Sequence, residues 1–339
     1  MLNVGVIGCG GRGKGHAAKL KAMPEVNLAW VCDIIPDKAD ELGAQHGVPA
    51  IYDFHGGLDQ VDVIWDATRP WERCDIVVDC AAAGKHIFSE KPIALDLATA
   101  DRYVTAIEQA GVKNSFCYSL HFTNPYKLAK AIFASGELGR LVSVWTKRYM
   151  PTDMRPRWYG DQSKSGGIML DFASHDLDLL CAFGGRPKTI FGCTDRVREN
   201  IQADDHGQGV LVFDEGMGTS EVSWWSPAGM SAFGVVGSKG SVIADGSGTL
   251  RKCIDGQKAE VLDVNASSNV DLAGNIGERA GAGRVINLAD REETPEEHFI
   301  RCVIEDREPI VTPYMARQVL EVVIAIRESA ATGQAVNLP

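Results

Sequence analysis

The chain has 339 residues, more than one ordinary hydrophobic core takes and enough for two domains. Its composition, 45% hydrophobic and 23% charged, is that of a folded globular protein rather than a disordered one. A formal net charge of −11 argues against a nucleic-acid surface, but leaves room for an anionic cofactor held locally at a helix N-terminus.

Residues 1 to about 120 alternate apolar strand-like runs with helical ones. The strands are read at Asn3–Ile7, Val26–Cys32, Val61–Ala67, His86–Ser89 and Lys113–Tyr118, and the helices at Gly15–Met23, Trp71–Ala83 and Leu97–Gln109. That alternation predicts a parallel sheet with helices on both faces. From about 140 to 262 strands follow one another, with hairpin signals at Asp245-Gly246 and Asp255-Gly256, which predicts a mainly antiparallel sheet. One helix, Ile168–Phe183, interrupts this region, and two more close the chain at Pro295–Asp306 and Pro313–Ala331. Residues 264–293, rich in Gly, Asn and Ala, read as a long loop. The domain reading is therefore 1–120 for nucleotide binding and 121–339 for substrate and oligomerisation, the closing helix being free to pack back on the first domain.

Nine cysteines without metal spacing read as reduced, mostly buried thiols, and with no membrane-spanning stretch or leader the default expectation is a cytoplasmic protein.

Gly8, Gly10 and Gly13 fit G-x-G-x-x-G between an apolar strand and a helix. The first glycine permits a tight turn, the second lets the backbone approach a pyrophosphate, and the third lets helix and strand pack closely. Gly11 and Arg12 lie inside this cradle; Arg12 either reaches the pyrophosphate or is a solvated loop arginine. Asp33 stands at the end of the next strand, twenty-three residues after Gly10, where a carboxylate accepts from ribose hydroxyls and repels a 2′-phosphate. Ile34 and Ile35 follow, with no arginine to receive that phosphate, so NAD is expected rather than NADP. This is a Rossmann signature.

His86–Ser89 runs into Glu90-Lys91-Pro92, and ligands in open α/β sheets bind at the carboxyl ends of strands. Glu90 and Lys91 are thus site candidates, the alternative being an ion pair at a strand end. Asp171, His175 and Asp178 are spaced i, i+4 and i+7, which puts three polar groups on one face of the otherwise apolar Ile168–Phe183 helix. A histidine beside a carboxylate suits a general base. A hydrogen-bonded core network or a metal site are the other readings, and no complete ligand set is visible.

In order and spacing these segments resemble the glucose–fructose oxidoreductase, inositol dehydrogenase and rhizopine catabolism oxidoreductase family (Gfo/Idh/MocA). The resemblance runs from the Gly8–Gly13 cradle through Ala83-Gly84-Lys85-His86 to Glu90-Lys91-Pro92, and on through Asn124-Pro125-Tyr126 and Gly136-Glu137-Leu138-Gly139. It continues through Arg157-Trp158, Gly166-Gly167, Asp171 and His175 to Val236–Ser241 and Gly333. It implies a Rossmann domain joined to an α/β domain with a large open sheet that builds homodimers or homotetramers. It also implies a small hydroxylated substrate such as a sugar or cyclitol; NAD is the expected cofactor, and with no complete ligand set no metal is expected. Lys91 would hold the reacting hydroxyl, His175 would be the acid/base, Asp171 would bind substrate or support both, and the Lys91-Pro92 bond would be cis. Thr68 and Pro70 would lie near the nicotinamide.

Two departures stand out. Many relatives have an arginine at His121, leaving this residue a substrate contact or a core histidine. Many also carry a histidine in the loop that here reads Thr68-Arg69-Pro70-Trp71-Glu72-Arg73. Arg155, Arg157, Trp158, Tyr159 and Asp161 precede the Asp171 segment and are read as the mouth of the site, Trp158 as a substrate contact. An NAD-dependent glycosidase using transient oxidation, and a non-catalytic NAD-binding regulator, are the competing functional readings.

Overall fold

The computed structural model describes residues 1–151, 158–264, 269–271, 285–287 and 293–339. The chain divides into two units, Met1–Tyr118 with Glu293–Leu320, and Ser119–Glu292 with Glu321–Pro339.

The first unit opens with β1 (Leu2–Ile7), α1 (Gly11–Ala22), β2 (Val26–Cys32), α2 (Pro36–His46) and β3 (Ala50–Ile51). It continues with β4 (Val63–Asp66), α3 (Pro70–Ala82), β5 (His86–Ser89), α4 (Leu97–Ala110) and β6 (Asn114–Phe116). The strands form one sheet in the order β3-β2-β1-β4-β5-β6, every pairing parallel. This is the Rossmann order, in which the chain reverses direction beside β1 and leaves a crevice at the carboxyl ends of β1 and β4. The strands read as unbroken apolar runs because helices cover both sheet faces; Val4, Val6, Val63, Ile64 and Trp65 are all fully buried.

The second unit begins with α5 (Asn124–Ala134) and β7 (Leu141–Tyr149), followed by three short helices, α6 (Gln162–Ser165), α7 (Gly167–Asp171) and α8 (Ser174–Gly184). Then come β8 (Thr189–Asp195), β9 (His206–Val212), β10 (Met217–Ser223), β11 (Met230–Gly237), β12 (Gly240–Ala244), β13 (Thr249–Ile254) and β14 (Glu260–Asp263). Next are β15 (Asn269–Asp271) and β16 (Val285–Asn287), then α9 (Pro295–Ile304), α10 (Pro313–Thr332) and β17 (Val336–Asn337). Nine strands form a sheet in the order β14-β13-β12-β11-β7-β10-β9-β8-β17. It is antiparallel except where β7 and β10 run parallel, so the sheet is mixed at its centre. Both hairpin signals hold, Asp245-Gly246 joining β12 to β13 and Asp255-Gly256 joining β13 to β14. Helix α8 packs on β7 and β10 through the buried Leu177 and Leu180.

Two expectations need correction. The run Ile168–Phe183 is not one helix: the Phe172 and Ala173 amides both donate to the Ile168 carbonyl at 2.9 Å, and the ladder resumes only with Leu177 N–H to Ala173. The second of these bonds spans five residues, a local widening that offsets α7 from α8. The Arg148 guanidinium lies 4.1 Å from the Phe172 ring centroid and donates to the Phe172 carbonyl at 3.4 Å, bracing the offset from β7. In the stretch 264–293 read as loop, β15 and β16 pair as an antiparallel ribbon. The rest of that stretch, 265–268, 272–284 and 288–292, lies outside the described residues, as do Arg155 and Arg157.

Helix α9 folds with the first unit. Its Thr294 cap and Glu297 form a reciprocal capping box, and its buried Phe299 meets the Trp65–Phe88 stack, whose rings lie 4.1 Å apart. Each such aromatic contributes about 1.5–3 kcal/mol by leaving water.

Candidate active site

The cradle geometry explains its glycines. Gly8 has φ +94°, and a Cβ there would stand 2.8 Å from the Ala67 carbonyl. At Gly13 a Cβ would fall 1.7 Å from the Gly8 carbonyl oxygen, so helix α1 and the β1 turn approach as closely as backbones can. A Cβ at Gly10 or Gly11 would meet nothing within 4 Å, which leaves open space above the first turn of α1. That turn carries no acidic residue, so its N–H groups present an uncompensated positive end. These features fit a dinucleotide pyrophosphate.

Asp33 follows the end of β2 and is fixed to the cradle: Cys9 N–H donates to Oδ2 and Ile35 N–H to Oδ1, both at 2.9 Å. A carboxylate has further lone pairs for ribose hydroxyls. Ile34 is exposed and offers only an apolar side chain. Burial and Asp33 push both the Cys9 and Cys32 thiols up to about 12, so they stay neutral beside it.

Thr68 and Pro70 lie in and after the β4 turn. The Asp66 carboxylate accepts from the Thr68 amide at 2.9 Å and its hydroxyl at 2.5 Å, while Arg73 Nε donates to the other oxygen at 2.8 Å. The same guanidinium donates to the Thr68 and Pro92 carbonyls. Arg73 therefore ties the β4 turn to the Glu90-Lys91-Pro92 turn, in which Lys91-Pro92 is cis as expected.

Glu90 is buried. Its Oε1 lies 3.0 Å from His16 Nε2, and His16 Nδ1 lies 2.8 Å from Glu296 Oε1 on α9. Lys19 donates to Glu296 at 2.9 Å, and the exposed Arg12 stands 3.9 Å from Glu90. Burial alone would raise Glu90; the His16 hydrogen bond and charge, with Arg12 and Lys91, bring it down to about 2. Glu296 is likewise lowered to about 2, against burial, by His16 and Lys19.

In the second unit Asp171 ends α7 and His175 lies in the first turn of α8, so the three-residue stripe read from spacing is split at its first member. Asp178 is buried and pairs with His121, whose Nε2 lies 2.5 Å away. His121 is thereby tied to a buried carboxylate of α8. Asp176, also on α8, is fully buried 3.1 Å from Arg148 Nε. Burial raises it to about 6 although Arg148 and Thr146 pull it down. Trp158 belongs to a 3-10 turn with its ring 4.0 Å from that of Tyr159, and Asp161 caps α6 by accepting from Ser163 N–H.

Gly8 to Lys91 thus belong to the first unit, and His121, Trp158, Asp171 and His175 to the second. Sequence reasoning missed Arg73, His16, Glu296, Asp176 and Arg148. His16 had one signal: it falls with Ala17 and Leu20 on the buried face of α1.

Two sequence profiles match the chain, one described as "Oxidoreductase family, NAD-binding Rossmann fold" over residues 2–118, the other as the "GFO/IDH/MocA C-terminal domain" over residues 126–243. Over 181 residues the chain is 30% identical to myo-inositol 2-dehydrogenase of Thermotoga maritima, covering 52% of this chain and 53% of that protein. Over 347 residues it is 27% identical to scyllo-inositol 2-dehydrogenase (NAD(+)) of Bacillus subtilis, covering 98% and 95%. Against six other curated relatives the chain likewise aligns with only about half of their length, 51–53%. A solved levoglucosan dehydrogenase in complex with NADH and L-sorbose shares the fold, with a TM-score of 0.86 at 20% identity over 100% of this chain and 99% of that one. The chain carries the NAD-binding Rossmann domain of an oxidoreductase family. It belongs to the Gfo/Idh/MocA family.

Proposed function

We propose that the protein transfers a hydride between NAD and a secondary hydroxyl of a sugar, cyclitol or related polyol. The observation that carries this reading is the Glu90-Lys91-Pro92 turn at the carboxyl end of β5, anchored by buried partners on both sides in the sheet that also holds the Gly8–Gly13 cradle. NAD, when bound, supplies the hydride acceptor. The chain's own residues do the rest. Gly8, Gly10, Gly11 and Gly13, with Arg12, hold the pyrophosphate; Asp33 and Ile34 receive the adenosine ribose; Thr68, Pro70 and Glu90 line the nicotinamide side.

A secondary alcohol is a very weak acid, so loss of its hydride needs the hydroxyl proton removed in concert. Lys91 holds that hydroxyl and steadies the growing alkoxide as a cation. His175 takes the proton, and Asp171 binds the substrate or orients the pair, with Trp158 as a further substrate contact. Residues 1–120, with 293–320 packed back on them, act as the cofactor domain and the remainder as the substrate domain. The relatives' names, inositol dehydrogenases, favour a cyclitol over an open-chain alcohol.

The outer face of the nine-stranded sheet exposes Phe191, Val212 and Met217, which supports a homodimer or homotetramer through that sheet. Among the described residues no helix is long and apolar enough to cross a membrane.

The test is NADH absorbance across a panel of cyclitols, sugars and sugar acids. One of them should be oxidised, and Lys91→Ala should lower kcat on it by about 10²–10⁴-fold. Unchanged turnover in that variant overturns the assignment.

A further inference from the structure

We propose that His16 is a positioning residue for the Glu90-Lys91-Pro92 turn: an imidazole gripped between Glu90 and Glu296 that fixes the carboxylate beside Lys91 and couples that turn to α9. The proposal rests on the reading of Lys91 as the group that holds the substrate hydroxyl.

The geometry dictates the protonation state. His16 Nε2 lies 3.0 Å from Glu90 Oε1, and Nδ1 lies 2.8 Å from Glu296 Oε1. A neutral imidazole has one N–H, so one of the two contacts would set a nitrogen lone pair against a carboxylate oxygen; only the imidazolium donates to both. All three side chains are nearly closed to solvent, and two buried carboxylates this close need a cation between them. Burial by itself pushes His16 down, and the two carboxylates push it up past its ordinary value.

The surroundings fit a fixed device. The His16 ring packs 5.7 Å from Trp65 and 5.9 Å from Phe88, which leaves little freedom to rotate. Arg12 and Lys19 on α1, Lys91 after Glu90, and the Cys117 thiol after β6 are the other ionisable groups acting on the cluster. Glu90 N–H donates to the Asp66 carbonyl at 2.9 Å, so backbone and side chain of the residue before Lys91 are both held. Loss of the Nε2 proton leaves a buried carboxylate without its imidazolium donor, facing only the weak Cys117 thiol donor and the charges of Arg12 and Lys91. That carboxylate then takes up a proton or swings away, and either changes the field at Lys91.

His16, Glu90 and Cys117 also place three ligand atoms within 4.8 Å of one another. A metal ion there would have to displace the imidazole proton beside Arg12 and Lys19, so the hydrogen-bonded arrangement is favoured.

The experiment uses the full chain and two readouts. Histidine carbon–proton NMR titration, with His16→Gln to assign the signal, should show an imidazolium that persists beyond neutral pH. Glu296→Gln should lower its midpoint by about one pH unit or more. After reductive methylation, the Lys91 methyl signal, assigned with Lys91→Ala, should move in His16→Gln. In kinetics, His16→Gln should lower kcat by about 10–10²-fold with KM for NAD and polyol changed less than about threefold. An ordinary exposed-histidine titration, an unmoved Lys91 signal, or stoichiometric zinc in the purified protein overturns the proposal. Failure of every polyol with the wild type overturns the dehydrogenase reading instead, and the NMR outcomes still decide the clamp.

Discussion

Arg73 Nε lies 2.8 Å from Asp66 Oδ2, with 1% and 0% of the two side chains exposed. The guanidinium spans three acceptors on two turns, a task its planar fork suits and an ammonium does not. Arg73→Ala should therefore cost about 3–5 kcal/mol in urea unfolding, because it strands the Asp66 carboxylate. Arg73→Lys should recover only part of that loss. Equal stability of the alanine variant and wild type would show that the pair is not a support.

Gly13→Ala should abolish NAD binding or folding. Its Cβ would stand 1.7 Å from the Gly8 carbonyl oxygen, a backbone atom that cannot rotate aside. Gly10→Ala, whose Cβ meets no protein atom within 4 Å, should leave the fold intact and weaken only cofactor binding. Calorimetric NAD titration beside a thermal melt separates the two. A well-folded Gly13→Ala protein that binds NAD normally would contradict the cradle geometry.

Asp33→Ala should weaken NAD about 10–10²-fold, the range for a lost hydrogen bond to a charged group, and narrow the preference over NADP. Part of the loss comes from the Cys9 and Ile35 amides, which the carboxylate now holds. Binding constants for both cofactors test this, and an unchanged ratio would remove Asp33 from cofactor selection.

The strands were readable because β2 and β5 are short apolar runs bounded by charge and turn residues, and both ends of each are found where the pattern puts them. The parallel pairing of β7 with β10 leaves no local mark, since register across seventy residues depends on packing. The α7–α8 break is hidden for the same reason: Phe172 looks helical, and its brace, Arg148, comes from another strand. In the site, glycines and the Glu-Lys-Pro string announce themselves locally. The His16–Glu296 contact spans 280 positions and does not.

Asp176 gives a pH dependence of unusual sign. Burial lifts its carboxyl from 3.8 to about 6, so the folded state binds this proton more tightly than the unfolded chain. Its contribution is fully present below the unfolded value and is lost as pH rises through about 6. Asp176→Asn cannot ionise. Relative to wild type it should gain on the order of 2–3 kcal/mol as pH rises through that window. Parallel stability curves for the two proteins would mean that Asp176 stays ionised throughout.

The first unit is made from two separate stretches of chain, 1–118 and 293–320: Glu296 completes the His16 cluster, and the Val311 carbonyl accepts from Ser115 Oγ at 2.9 Å. Most of the second unit, residues 119–292, is therefore spliced between two pieces of its neighbour, and residues 321–339 return to it. During synthesis the nucleotide-binding half emerges first from the ribosome yet cannot finish folding until residue 320 has been added. A fragment cut near residue 120 would carry the whole glycine signature and still lack a wall.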